Sequence, residues 1–129
     1  MSVIGMHNSA PSFVINMIES DFTFYLTGSR YWNNYNKFSD WDFFTHENQM
    51  VYSWLVQNGF EVVSKSTYTD LNCSTVMQKG KIQVQLVKDA KIKNDIQKLL
   101  YEEFPHGFPD KEFAKKMWNL AYKSYMMGL

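Results

Sequence analysis

The segment Lys81–Val87, KIQVQLV, alternates without a break, with Ile82, Val84 and Leu86 on one side and Gln83 and Gln85 on the other. Side chains of a strand point to opposite faces in turn, so this is a strand with one apolar and one amide face. Gly80 precedes it and Cys73–Gln78 reads as its partner, which makes a hairpin. Helical spacing occupies much of the rest. Pro11–Glu19 groups Phe13, Val14, Met17 and Ile18, and Glu47–Asn58 groups Met50, Val51, Trp54 and Leu55, with Gly59 past its end. Lys91–Phe104 carries Ile92, Ile96, Leu99, Leu100 and Phe104 in helical register. PHGFPD interrupts that pattern, and Asp110 caps a last helix carrying Phe113, Met117, Leu120 and Ala121. Shorter strands are expected at Phe22–Leu26, Asp40–Thr45 and Phe60–Lys65, with a loose helical turn and loop over Arg30–Asn36. The order α-β-loop-β-α-β-β-β-α-α predicts a mixed sheet packed by helices, an α+β fold or an α/β sandwich.

The 129 residues, 1–129, show no repeat, linker or internal boundary, and that length suits one domain. A hydrophobic share of 45% with 17% aromatic residues argues against disorder. No apolar run approaches the roughly 18 to 20 residues that span a bilayer, so no membrane partner is expected. The start, MSVIGMHNSAPSF, does not read as a signal peptide. A lone cysteine, Cys73, makes no internal disulfide and is read as a buried strand residue; the expected setting is cytoplasmic. A formal net charge of zero removes the broad electrostatic case for nucleic-acid binding. Acids outnumber bases in the first half, whereas the last forty residues are lysine-rich. Arg30 is the only arginine.

Leu26–Phe44, LTGSRYWNNYNKFSDWDFF, concentrates the residues that carry chemistry. On a strand, Asp40 and Asp42 share a face while Trp41 and Phe43 enter the opposite layer. Two carboxylates about 6 to 7 Å apart at Cα repel, and a divalent cation with oxygen ligands would hold them together. Taken alone, an Asp-x-Asp pair is more often a solvated strand edge. Gly28-Ser29 at the end of a strand changes that weighting, because a glycine turn lets backbone N–H groups approach an anion. Arg30 adds a fixed, forked cation on the same turn.

TGSR followed by SDWDFF resembles the hG[GS]-x(9–13)-Dh[DE]h signature of the DNA polymerase beta-like nucleotidyltransferases, in particular their minimal single-domain members. The resemblance covers residues 11–87, with 91–129 as a C-terminal helical extension. It implies transfer of a nucleoside monophosphate from an NTP to an acceptor such as a hydroxyl, with pyrophosphate leaving. It implies that Gly28 and Ser29 hold the triphosphate and that Asp40 and Asp42 bind Mg²⁺ (or Mn²⁺). Arg30 is not a strict family residue but suits phosphate neutralisation. A third carboxylate is expected on a later strand; KIQVQLV offers Gln85, or equally Gln83, in that place. Glutamine supplies a neutral carbonyl but accepts no proton. Asp70 and Asp89 are the neighbouring acids that could substitute.

Two rival readings go with the transferase. One is a catalytically inactive nucleotidyltransferase-fold domain that binds a nucleotide or a protein, antitoxin- or inhibitor-like. The other is a pure protein-interaction module. The acceptor or partner is then a protein or an RNA. Trp118, Tyr122 and Tyr125 lie off the Phe113/Met117/Leu120 stripe, which predicts either a packed last helix, the preferred reading, or a homodimer through it. His7, His46 and His106 show no metal-ligand spacing.

Overall fold

The structure, a computed structural model, describes residues 11–32, 35–64 and 73–128, so His7, Asp70 and the side chain of Cys73 lie outside the described residues. Helix α1 (Ser12–Glu19) leads into strand β1 (Tyr25–Thr27) and a single helical turn, α2 (Gly28–Tyr31). Strand β2 (Trp41–His46) and helix α3 (Gln49–Gln57) follow. Strands β3 (Glu61–Ser64), β4 (Cys73–Lys79) and β5 (Ile82–Val87) precede helices α4 (Ala90–Glu103) and α5 (Lys111–Met126). The fold is α+β, and the mixed sheet runs in the order β1-β2-β5-β4-β3. Only the β2–β5 contact is parallel among the described pairings. A parallel neighbour cannot be reached by a tight turn, so α3, β3 and β4 form the connection between them.

Alternation divides the sheet into two faces. Leu26, Trp41, Phe43, Ile82, Val84 and Leu86 form one buried cluster with Val14 and Met17 of α1 and Val51 and Leu55 of α3. On the other face, Phe44 and Val87 meet Ala90 at the start of α4, and Tyr25 stacks on Phe44. A further cluster joins the C-terminal helices to the chain leaving α2, with Trp32, Ile96, Leu100 and Trp118 buried together. The Trp32 indole N–H also donates to the Phe104 carbonyl at 2.9 Å. The helices lie on both faces, and no described helix is long and apolar enough to cross a membrane.

Several expected boundaries and faces shift. Strand β1 is shorter than Phe22–Leu26, because the Phe22 and Phe24 rings pack on Trp54 of α3 while the Ser20 hydroxyl accepts from the Phe22 N–H. The helical turn starts at Gly28, ahead of Arg30. Met50, Leu99 and Leu120 were expected on buried stripes and are instead 74%, 51% and 58% exposed. In α4 the buried stripe is Ile96, Gln97 and Leu100, and position 99 falls beside it. In α5 the bulky Trp118 sets the packing face with Ala114, which turns Leu120 outward. The caps are as expected: the Asp110 carboxylate accepts from the Phe113 N–H at 2.7 Å, and Gly59 follows α3 with φ +90.

Candidate functional site

The turn and the acidic pair converge through strand register. Antiparallel pairing places Thr27, the last residue of β1, opposite Asp42. Gly28 therefore begins its turn directly beside the Asp42 carboxylate. It adopts φ +70, a conformation that residues with a Cβ enter at a cost. A Cβ built on Gly28 would stand 2.5 Å from Asp42 Oδ2 and 3.1 Å from Asp42 Cβ. The carboxylate thus occupies the space that a side chain at position 28 would need, and glycine is required there on two counts. The turn closes with the Trp32 N–H donating to the Gly28 carbonyl at 3.3 Å.

Asp40 lies one residue before β2 and is exposed, whereas Asp42 is half-buried. Trp41 and Phe43 enter the α1/α3 core, as alternation requires. Burial pushes the Asp42 carboxyl up to about 6, the neighbouring charge of Asp40 adds to the rise, and Arg30 opposes it. The Arg30 guanidinium lies 4.0 Å from the centroid of the Trp41 ring and 4.7 Å from that of Tyr35, a cation–π arrangement. It donates to the Ser39 carbonyl at 3.0 Å, which ties the turn to the segment entering β2. Its Nε is buried without a hydrogen-bond partner among the described residues. Burial lowers its pKa, against the opposing pull of Tyr35, Asp42 and Asp40. Ser29 is half-buried at the second position of α2.

The parallel pairing gives the two glutamines different partners. Gln83 is the register partner of Asp42, and Gln85 is the partner of Phe44, two residues further on. Gln83 therefore stands beside Asp42 on the neighbouring strand. Gln85 accepts a hydrogen bond from Lys93 Nζ at 3.0 Å, and that ammonium also lies over the Phe44 ring. Asp89 stands at the N-cap position of α4 and His46 ends β2 on the exposed side. Among the described residues no group of three or more His, Cys, Asp or Glu side chains gathers as a metal site. The oxygens nearest to such a set are those of Asp40 and Asp42, close enough for the charge of one to act on the other, with Gln83 the register partner of Asp42. A half-buried carboxylate beside a second acid is a charge arrangement that a hard cation with oxygen ligands would relieve.

Sequence reasoning missed Gln97. Its side chain is fully buried, Thr27 Oγ1 donates to its Oε1, and its Nε2 donates to the Leu26 carbonyl at 2.9 Å. Helix α4 thereby grips the two residues that deliver Gly28. Position 97 lies four residues after Lys93 and three before Leu100, on the side of α4 that is buried, but a glutamine one turn after a lysine gives no apolar signal in the sequence.

Comparison with protein-family models, curated proteins and solved structures returned no match for this chain.

Proposed function

We propose that the chain is a nucleotidyltransferase-like protein that binds an NTP with Mg²⁺ (or Mn²⁺) and moves its nucleoside monophosphate to an acceptor. The observation that carries this reading is the seating of the Asp42 carboxylate against the bare Cα of Gly28. It supports treating the glycine turn and the acidic pair as one site, as the resemblance of TGSR and SDWDFF to that family implies. In this reading Asp40 and Asp42 hold the cation, with the Gln83 amide as neighbour. Bound there, the cation supplies charge neutralisation for the phosphates and for the departing pyrophosphate. Gly28 allows the turn to start against the Asp42 carboxylate, Ser29 offers a hydroxyl on the same turn, and Arg30 adds permanent positive charge.

One observation favours the second reading, a catalytically inactive nucleotide-binding form. The register partner of Asp42 is an amide, and the other glutamine of that face is already engaged by Lys93. Neither can take a proton from an acceptor. The test is calorimetric titration with ATP, CTP, GTP and UTP, with and without Mg²⁺ or Mn²⁺, alongside a Asp40→Asn/Asp42→Asn variant. Metal-dependent binding that weakens at least about tenfold in the variant, about 1.4 kcal/mol, is the expected result. Pyrophosphate release on incubation with candidate acceptors then separates transferase from binder. Absence of metal-dependent binding for all four nucleotides removes both readings.

A further inference from the structure

Beyond the free edge of β1 lies a groove of about 410 Å³, walled on one side by the strand and on the other by α4. We propose that this groove takes the nucleobase of the nucleotide whose phosphates are held at Gly28, and the inference rests on the preceding reading for that phosphate end alone.

The walls supply what a flat heterocycle with a polar edge needs. Tyr31 and Tyr101 are aromatic residues of the wall, and Asn94 and Lys98 contribute an amide and an ammonium from α4. Tyr31 and Tyr101 meet edge to face at 5.4 Å, which fixes both rings in the wall. The Leu26 carbonyl accepts from Gln97 on α4, so the main-chain groups of Leu26 point away from β2. Successive residues of an antiparallel strand turn their main-chain groups alternately to the partner and away from it. The Leu26 N–H is therefore a donor at the groove. The Asn94 Oδ1 already accepts from Gln97 Nε2 at a long 3.5 Å, so the Asn94 Nδ2 donor and the Leu26 N–H are the groups that can read the hydrogen-bonding edge of a base.

Placement connects the groove to the acidic site. Leu26 lines it, and Gly28 follows two residues later. Neighbouring strands lie about 4.8 Å apart, so the groove stands about 10 Å from the strand bearing Asp42. A ribose bridges that span between a base and its α-phosphate. A volume of about 410 Å³ lies within the usual range for small-ligand pockets and accommodates a base with its sugar. Base–aromatic stacking contributes about 1–3 kcal/mol per base and is tolerant of base identity, which suits a wall of rings.

The experiment follows backbone amide resonances by NMR while adenosine, cytidine, guanosine and uridine are added without metal, and then the corresponding NTPs with Mg²⁺. Two variants accompany the native chain: Tyr101→Ala, and Asn94→Leu, which changes a half-buried wall position and gives up only a long 3.5 Å contact to Gln97 Nε2. At least one nucleoside is expected to shift Leu26 and the residues of α4 that line the groove, and Asn94→Leu to weaken it about tenfold. Metal-dependent NTP binding with no shift at the groove and no effect of Asn94→Leu overturns this inference and leaves the transferase reading standing. Nucleoside binding at the groove without any metal-dependent gain for the NTP upholds the groove and removes the phosphate site. No binding of nucleoside or NTP overturns both.

Discussion

Replacing Gly28 by alanine tests the contact on which the site is built. Two costs are expected. The backbone cost comes from φ +70, where an L-residue loses about 1–2 kcal/mol. The second comes from the new Cβ, which would stand 2.5 Å from Asp42 Oδ2 and 3.2 Å from Asp42 Cγ. A contact that short cannot persist, so the carboxylate must swing away or the turn must shift, at about a further 1–3 kcal/mol for an overpacked position. The total, about 2–5 kcal/mol, is read from urea unfolding followed by tryptophan fluorescence. A double-mutant cycle separates the costs. With Asp42→Ala in the background, the carboxylate is gone and Gly28→Ala keeps chiefly the backbone cost. The coupling between the two positions is expected at about 1 kcal/mol or more, well above the roughly 0.5 kcal/mol by which independent sites depart from additivity. Strict additivity would refute the contact, and with it the argument that turn and acidic pair form one site.

Two other changes follow from the same geometry. Asp42 has its carboxyl raised to about 6, so the native chain holds a proton there that the unfolded chain has released, and stability falls as pH rises from about 4 to about 6. Asp42→Asn is expected to flatten that slope and to raise stability at pH 7 by up to about 3 kcal/mol, measured by denaturant unfolding across that pH range; an unchanged slope would contradict the assignment. Gln97→Leu leaves the Leu26 carbonyl and the Thr27 hydroxyl without their buried partner, and a loss of about 1–3 kcal/mol is expected in thermal unfolding, with amide exchange at β1 accelerated before the rest of the sheet.

The fold was legible where a single period dominates. Alternation at Ile82, Val84 and Leu86 placed β5 and its buried face, and Asp110 and Gly59 marked helix ends through local hydrogen bonding and backbone freedom. The helix faces were less legible, because spacing identifies an apolar stripe but not which of two stripes a neighbour will cover. In α5 the choice fell to Trp118, whose ring fills the space beside Trp32, and that contact depends on a residue 86 positions away in sequence. The acidic pair could be read from its spacing. Its closeness to Gly28 could not, since it depends on the antiparallel register of Thr27 with Asp42. Which of Gln83 and Gln85 pairs with Asp42 likewise depends on the parallel register of β5 on β2.

The C-terminal helices bear on the site more directly than their position after the core suggests. Sequence reasoning set residues from 91 onward apart from the segment that resembles the nucleotidyltransferases. Yet Gln97 of α4 binds the chain on both sides of the bond between Leu26 and Thr27, and Lys93, one turn earlier, engages Gln85 on the face shared with Asp42. A three-residue edge strand has little pairing of its own to fix its position. One buried bond from Gln97 to the Leu26 carbonyl and one to Gln97 from the Thr27 hydroxyl supply what the missing neighbour strand does not, and they hold the strand that leads into Gly28. The same grip turns the open edge of β1 toward α4 and forms the groove between them. One glutamine thus links the position of the turn, the shape of the groove and the packing of the helices, so a change that loosens α4 is felt first at Gly28 and Asp42.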